Sequence, residues 1–316
     1  MLLASLFALA LAAQDAAPAS AQPAATPAPA ASPATLPWAE EFDMASKISG
    51  RTYRIYVTRP PGPAPKGGYP VIYVLDGNAN FATASSQVVL RAVSGGPRAL
   101  VVGIGYPDAN AAMVLRNRDL TPSAPTEAMR KAGAPPGPRE SFGGADAFHA
   151  FMMQELRPRI AAAYPVNAAD QTLMGYSLGG LFTLHVLFAH PEAYRTFVAG
   201  SPSIWWNDRE VLAGASRLAA AVKSGKVAPR ILITSDAWEQ DPKSPDIPAS
   251  GPGRAIALAA IGTARMVDNA RELAARLKAL PGAKGYEVRY ALFADETHLT
   301  GMPAATSRGV TFAEAP

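Results

Sequence analysis

Ser177 stands where a hydroxyl can act as a nucleophile. It lies in Gly175-Tyr176-Ser177-Leu178-Gly179, a G-x-S-x-G pattern, after the apolar run Leu173-Met174 and before another that starts at Leu181-Phe182. Such a pattern arises by chance in roughly one chain in ten, but a buried strand before it and a helix after it are the setting of a nucleophile elbow. The two glycines leave room for the strand and helix to meet closely. The serine is then lifted above the sheet, and the Leu178 N–H points to where an oxyanion would form. The competing reading is an ordinary strand-to-helix turn; a phosphate-cradling loop would need a following Gly-Lys-Ser/Thr, which is lacking.

A serine needs a base, and the chain has four histidines. His149 sits among core-type residues. His185 lies two turns along the helix from Ser177. His190 precedes Pro191 at a helix end, where a cation is favourable. His298 occurs in Ala-Asp-Glu-Thr-His-Leu-Thr-Gly, a polar loop late in the chain. The order nucleophile, acid, histidine is that of α/β-hydrolases, and His298 is the expected base. The acid should follow the strand Ile231–Ser235. Glu239 is favoured, with Asp236 as an alternative that could instead shape the turn, and a Ser–His pair without a carboxylate as a third. A second oxyanion donor is expected from Val74–Phe81, where the N–H of Asn78 or Gly77 could face the site. Asp76 or Asn78 could equally cap a helix there.

These groups must be held by a framework. Continuous apolar runs at Tyr69–Asp76, Ala99–Tyr106, Gln171–Ser177, Phe197–Ser201 and Arg230–Ser235 read as buried strands, Thr52–Thr58 as an early half-exposed strand, and the alternating Tyr286–Phe293 as an edge strand. Helices fall between them. Phe148, Phe151, Met152, Leu156 and Ile160 share a face, with a kink or break expected at Pro158. Met266, Ala270, Leu273, Leu277 and Leu280 form another stripe, stopped by Pro281-Gly282. Strands alternating with helices predict an α/β fold with a mostly parallel sheet covered on both faces. Residues 110–144 lack periodicity and read as a long loop or cap, as binding loops often do.

Of 316 residues, 49% are hydrophobic and 17% charged, enough for one large domain. The absence of cysteine excludes disulfides, thiolate metal sites and cysteine nucleophiles. The net charge is +4, without a Lys/Arg run dense enough for nucleic acid, and favours an anionic substrate only mildly. Leu2–Ala13 has the length of a signal-peptide apolar core and is too short to span a bilayer; Ala10–Ala12 and Ala19–Ala21 offer small-residue cleavage sites, although the start carries no Lys or Arg. The expected organisation is a signal peptide over 1–21, an Ala/Pro-rich linker over 22–37 and an α/β-hydrolase domain over 38–316. Removing Asp15 with the signal leaves 29 basic and 24 acidic residues, a charge of +5. Such a protein would be periplasmic or secreted, without stable membrane insertion.

The stretches YVLDGNANF, RDLTPS, GGADAFHAFMMQELRPRI, GYSLGGLF, GSPSIWWND, SDAWEQ and ETH follow one another as in the putative-esterase (esterase D-like) family of α/β-hydrolases. The sequence resembles most its periplasmic branch of siderophore trilactone esterases, over roughly Ala45 to the C-terminus. The resemblance implies the α/β-hydrolase fold, Ser177 as nucleophile and His298 as histidine. It implies Glu239 as acid in the esterase D-like pattern, whereas some trilactone esterases are described with a Ser–His pair. It also places an arginine near the substrate, a role open to Arg116 or Arg118; a loop salt bridge to Asp119 is the alternative. Tyr176, Trp205 and Trp206 could wall the cleft or pack beneath it.

The expected chemistry is hydrolysis of a carboxylic ester of a small molecule, with no metal or cofactor. Siderophore trilactones are one substrate class. A thioesterase, an acyltransferase and a non-catalytic siderophore- or glycan-binding module on the same fold remain open at this point.

Overall fold

The computed structural model describes residues 34–131 and 135–315. The proposed signal peptide and most of the proposed linker lie outside the described residues. Eight strands form one sheet in the order β1-β2-β4-β3-β5-β6-β7-β8. They are β1 (Ala39–Ala45), β2 (Thr52–Thr58), β3 (Tyr69–Leu75), β4 (Leu100–Gly105), β5 (Val166–Tyr176), β6 (Thr196–Gly200), β7 (Arg230–Asp236) and β8 (Glu287–Phe293). β1–β2 and β2–β4 pair antiparallel and the rest parallel, the arrangement of an α/β-hydrolase.

The helices are α1 (Gly77–Val93), α2 (Ala112–Leu120), α3 (Glu127–Lys131), α4 (Ala145–Phe151), α5 (Arg157–Ala163), α6 (Leu178–Ala189), α7 (Ala215–Lys223), α8 (Pro252–Ala264), α9 (Met266–Lys278) and α10 (Gly301–Ala313). Alternate strand residues sort the core into two layers. Ile72, Val74, Val101, Met174 and Val198 pack with α1 and α10 through Phe81, Val88, Val310 and Phe312. Val71, Tyr73, Leu173, Phe197 and Ile231 face the other way, against α4 to α7 and α9. A parallel sheet buried on both faces needs apolar residues on both sides of each strand, as these runs supply.

Two segments differ from the sequence expectation. β1 was not expected, because Ala-Glu-Glu-Phe-Asp-Met-Ala carries little strand signal. It is the outer edge, tied to β2 by Arg54, whose Nε donates to Asp43 Oδ1 at 2.8 Å. Within residues 110–144, read as a loop, α2 forms nine residues of helix; its charged positions Arg116 and Asp119 are buried against partners, which hides the apolar periodicity. Pro158 does not break its helix. A π-helical turn over Met152–Leu156 joins α4 to α5 and places the proline in the first turn of α5. Among the described residues no helix is long and apolar enough to cross a membrane.

Candidate active site

β3, β5, β6, β7 and β8 run parallel, so the segments after them gather at one edge of the sheet, where ligands bind in open α/β folds. β5 ends at Tyr176 and α6 starts at Leu178, leaving Ser177 alone at the corner with φ 60° and ψ −118°. A non-glycine residue there is strained by about 1–3 kcal/mol and needs surroundings that hold it. Those surroundings are visible: Ser177 N–H donates to Gly200 O at 2.9 Å, and Ser177 O accepts from Ser203 N at 3.1 Å and Leu181 N at 2.9 Å. Gly175 is required by packing, because a Cβ there would overlap the Gly179 carbonyl.

The loop after β8 brings His298 to this corner. Its Nε2 is 2.9 Å from Ser177 Oγ, and its Nδ1 is hydrogen-bonded to Glu239 Oε1. Glu239 closes a single 3₁₀ turn after β7, with its side chain 2% exposed, while that of His298 is 29% exposed. Besides His298, the Glu239 carboxylate accepts from Ser201 Oγ and, at 3.0 Å, from the Asp236 N–H. Trp238 N–H donates to Glu296 O at 3.1 Å, joining the acid's turn to the histidine's loop. Serine, histidine and glutamate thus form one hydrogen-bonded line from surface to interior. Ser201 was not singled out from the sequence, although it lies in the Gly-Ser-Pro-Ser stretch after β6.

Asp236 occupies a different place from Glu239. It is fully buried, and the Tyr176 hydroxyl is hydrogen-bonded to its Oδ2 while also lying 2.8 Å from the His298 carbonyl oxygen. Tyr176, for which the sequence left open a place in the cleft wall or beneath it, is buried beneath His298 with its hydroxyl engaged. Burial, then the neighbouring carboxyls of Glu239 and Asp236, push its phenol far above the ordinary range, so it stays protonated.

Across the corner, β3 ends beside β5 with Val74 opposite Met174. Asp76 follows in a left-handed conformation, φ 53° and ψ 49°, and α1 starts at Gly77. Its carbonyl accepts from Ala79 N and Asn80 N; the Gly77 and Asn78 amides have no acceptor among the described residues, which leaves them available at the helix start. The Asn78 side chain is structural: Oδ1 accepts from Tyr106 N at 2.8 Å, and Nδ2 donates to Tyr106 O at 2.9 Å. The Leu178 amide, at the start of α6, likewise has no acceptor among the described residues.

Arg116 does not bridge to Asp119. Its Nε and Nη2 donate to Asp76 Oδ1 and Oδ2 at 2.7 and 2.8 Å, a two-pronged pair with side chains 10% and 14% exposed. Asp119 instead accepts from the Tyr106 hydroxyl at 3.0 Å and faces Arg51. Asp76 Oδ2 in turn lies 3.2 Å from where a Cβ on Gly179 would stand. The Arg116 pair therefore braces the start of α1 against the elbow. Arg118 is half-buried and packs its stem on Gly144. Trp205 is half-buried in the loop that holds Ser177, and the fully buried Trp206 donates to Ser123 O at 3.2 Å. His149 is buried, His185 pairs with Asp146, and His190 is exposed past the end of α6.

Residues 46–253 match the family described as putative esterase. The chain is 36% identical to the ferri-bacillibactin esterase BesA of Bacillus subtilis, over 89% of this chain and 91% of that protein. It is 34% identical to the siderophore triacetylfusarinine C esterase of Aspergillus fumigatus, over 87% and 93% respectively. Among solved structures, the siderophore hydrolase EstA from Aspergillus nidulans superposes with a TM-score of 0.75 at 30% identity, covering 90% of this chain and 97% of that one. The BES protein from Bacillus cereus gives 0.73 at 31%, covering 90% and 99%. With a family match over most of the folded region and relatives of this identity along nearly its whole length, the chain belongs to the putative esterase family of α/β-hydrolases and is a carboxylic ester hydrolase.

Proposed function

We propose that Ser177, His298 and Glu239 are the catalytic triad and that the ester they cleave is the lactone of an iron-carrying siderophore. The carrying observation is His298 suspended between Ser177 Oγ, 2.9 Å from its Nε2, and the buried Glu239 carboxylate on its Nδ1. Ser177 Oγ attacks the ester carbonyl while Nε2 takes its proton. The carbonyl electron pair moves onto oxygen, where the amides of Leu178 and of Gly77 or Asn78 receive it; each such donor contributes about 3 kcal/mol to the transition state. The tetrahedral centre collapses, the C–O bond breaks, and His298 returns the proton to the departing alkoxide. Water then repeats the cycle on the acyl-serine, releasing a carboxylic acid. Glu239 keeps the imidazole in the tautomer that accepts at Nε2 and stabilises its cationic form.

The relatives, siderophore esterases, support the siderophore substrate, and trilactones fit an ester hydrolase because each ring carries several equivalent bonds to open. Arg118 and Trp205 are assigned to the substrate's rim, a cation and a flat apolar face suited to the anionic and aromatic parts of a siderophore. The Leu2–Ala13 stretch and the Ala/Pro-rich segment after it support export to the periplasm or beyond, with residues 1–21 as the signal and 38–316 as the enzyme. The test is chromatography of a catecholate trilactone, with and without ferric iron, after incubation with residues 22–316 and with the Ser177→Ala variant. Linear products from the first and none from the second are expected. An intact trilactone beside rapid turnover of p-nitrophenyl butyrate would move the natural substrate elsewhere.

A further inference from the structure

The Tyr176 hydroxyl stands within hydrogen-bonding reach of two oxygens, Asp236 Oδ2 and, at 2.8 Å, the His298 carbonyl. A phenol has one proton to give and a carbonyl can only accept. With Asp236 ionised, one of these two contacts sets lone pair against lone pair in a dry interior. With a proton on Asp236 both become hydrogen bonds, running from the Asp236 O–H to Tyr176 Oη and from the Tyr176 O–H to the His298 carbonyl. The neighbouring carboxyl agrees with this count. Glu239 receives Ser201 Oγ, the Asp236 N–H and His298 Nδ1. Asp236 has only Tyr176 and, in the capping box of the 3₁₀ turn, the Glu239 N–H, and its Oδ1 has no partner among the described residues. Two buried carboxyls three residues apart share one negative charge more readily than they carry two, and more of the donors, Ser201 Oγ, the Asp236 N–H and His298 Nδ1, sit on Glu239.

We propose that Asp236 is a neutral carboxylic acid that holds the His298 main chain through Tyr176, and so is a positioning residue for the imidazole that shuttles the proton. The proposal rests on the reading of Ser177, His298 and Glu239 as the triad. The groups facing Asp236 are Tyr176 from β5, Glu239 from the turn after β7, Glu296 and His298 from the loop after β8, and Tyr290 from β8. α10 closes the remaining side with Gly301, whose Cβ, if present, would overlap Asp236 Oδ1. Burial, then the Glu239 charge, push Asp236 up to about 7. Ionising it as the pH rises turns the Tyr176 proton from the His298 carbonyl toward the new carboxylate, and adds a second anion beside the triad.

The test is kcat and KM for p-nitrophenyl butyrate from roughly pH 6 to 9, across the range where such an acid titrates, in the wild type, Asp236→Asn, Asp236→Ala, Tyr176→Phe and Ser177→Ala. In Asp236→Asn the amide NH₂ donates where the acid O–H did, so neutral-pH kcat stays within about twofold and the decline of the wild type on the alkaline side disappears. Asp236→Ala and Tyr176→Phe lose about five- to tenfold in kcat at unchanged KM, the worth of a hydrogen bond in the network. The proposal is overturned if Asp236→Asn, melting like the wild type, falls as far as Asp236→Ala, or if Tyr176→Phe tracks the wild type throughout. Turnover retained in Ser177→Ala would overturn the triad reading instead, which separates the two failures.

Discussion

The Arg116–Asp76 pair offers the sharpest separation between a brace and a substrate contact. In Arg116→Met the stem volume is kept, but the Asp76 carboxylate loses both donors while its side chain is 14% exposed. Breaking one side of a buried pair costs about 3–5 kcal/mol because the remaining charge is stranded; with some solvent access here the lower end applies, about 3 kcal/mol. For a domain of this size that lowers the melting temperature by roughly 6–12 °C. Asp76 immediately precedes Gly77 and Asn78, so the helix start should loosen and kcat for p-nitrophenyl butyrate should fall about tenfold, part of the roughly 10²-fold that a lost oxyanion donor costs. KM for this uncharged ester should hardly move. The double variant Asp76→Asn with Arg116→Met removes the stranded charge and should recover about half of the lost stability. Thermal melts and steady-state kinetics on the three variants decide it. An Arg116→Met enzyme that melts with the wild type, keeps kcat on the neutral ester and is impaired only on anionic substrates would refute the brace.

Glu239→Gln keeps the shape but removes the charge that steadies the imidazolium, and kcat should fall by roughly 10²–10⁴ with little change in KM; a loss under about threefold would place the reaction in a serine–histidine pair. Gly175→Ala pushes a methyl into the Gly179 carbonyl and should destabilise by about 1–3 kcal/mol or more, read as a lower urea midpoint; an unchanged midpoint would show that the elbow can spread. Burial, then the charges of His190, Arg157 and His185, hold His149 down at about 4, with Asp146 opposing. The unfolded chain therefore takes the proton first, and the stability His149 contributes is present above about pH 6.5 and lost as pH falls toward 4. The urea midpoint should drop between roughly pH 7 and pH 5 in the wild type and drop less in His149→Gln; equal drops would contradict this.

Much of the framework was legible because its signals are local. The strands predicted at Thr52–Thr58, Tyr69–Asp76, Arg230–Ser235 and Tyr286–Phe293 lie within a residue of β2, β3, β7 and β8, since a parallel sheet buried on both faces imposes continuous apolar runs on its inner strands and an outer strand keeps the two-residue alternation. Ser177, Glu239 and His298 are brought together from positions that chain order and strand ends already indicated. What escaped notice depends on pairing across the fold. β1 is held by its ladder with β2 and by Phe42 and Met44 packed on the core, a pattern that its acidic residues interrupt in the sequence, and α2 hides its inward face behind Arg116 and Asp119. The partner of Arg116 is 40 residues away on another element, and nothing in Arg-Asn-Arg-Asp signals it. Tyr176 and Ser201 lie in stretches that were noticed, but which atom each meets follows from how β5, β6 and β7 align.

The central claim is that Ser177 is a nucleophile activated by His298. Labelling with a fluorophosphonate, followed by peptide mass spectrometry, reads this directly. The account expects a single adduct on Ser177, absent in Ser177→Ala and formed at least about 10²-fold more slowly in His298→Ala, where the base is missing. An adduct on another residue, or labelling of Ser177 at the same rate without His298, would contradict it.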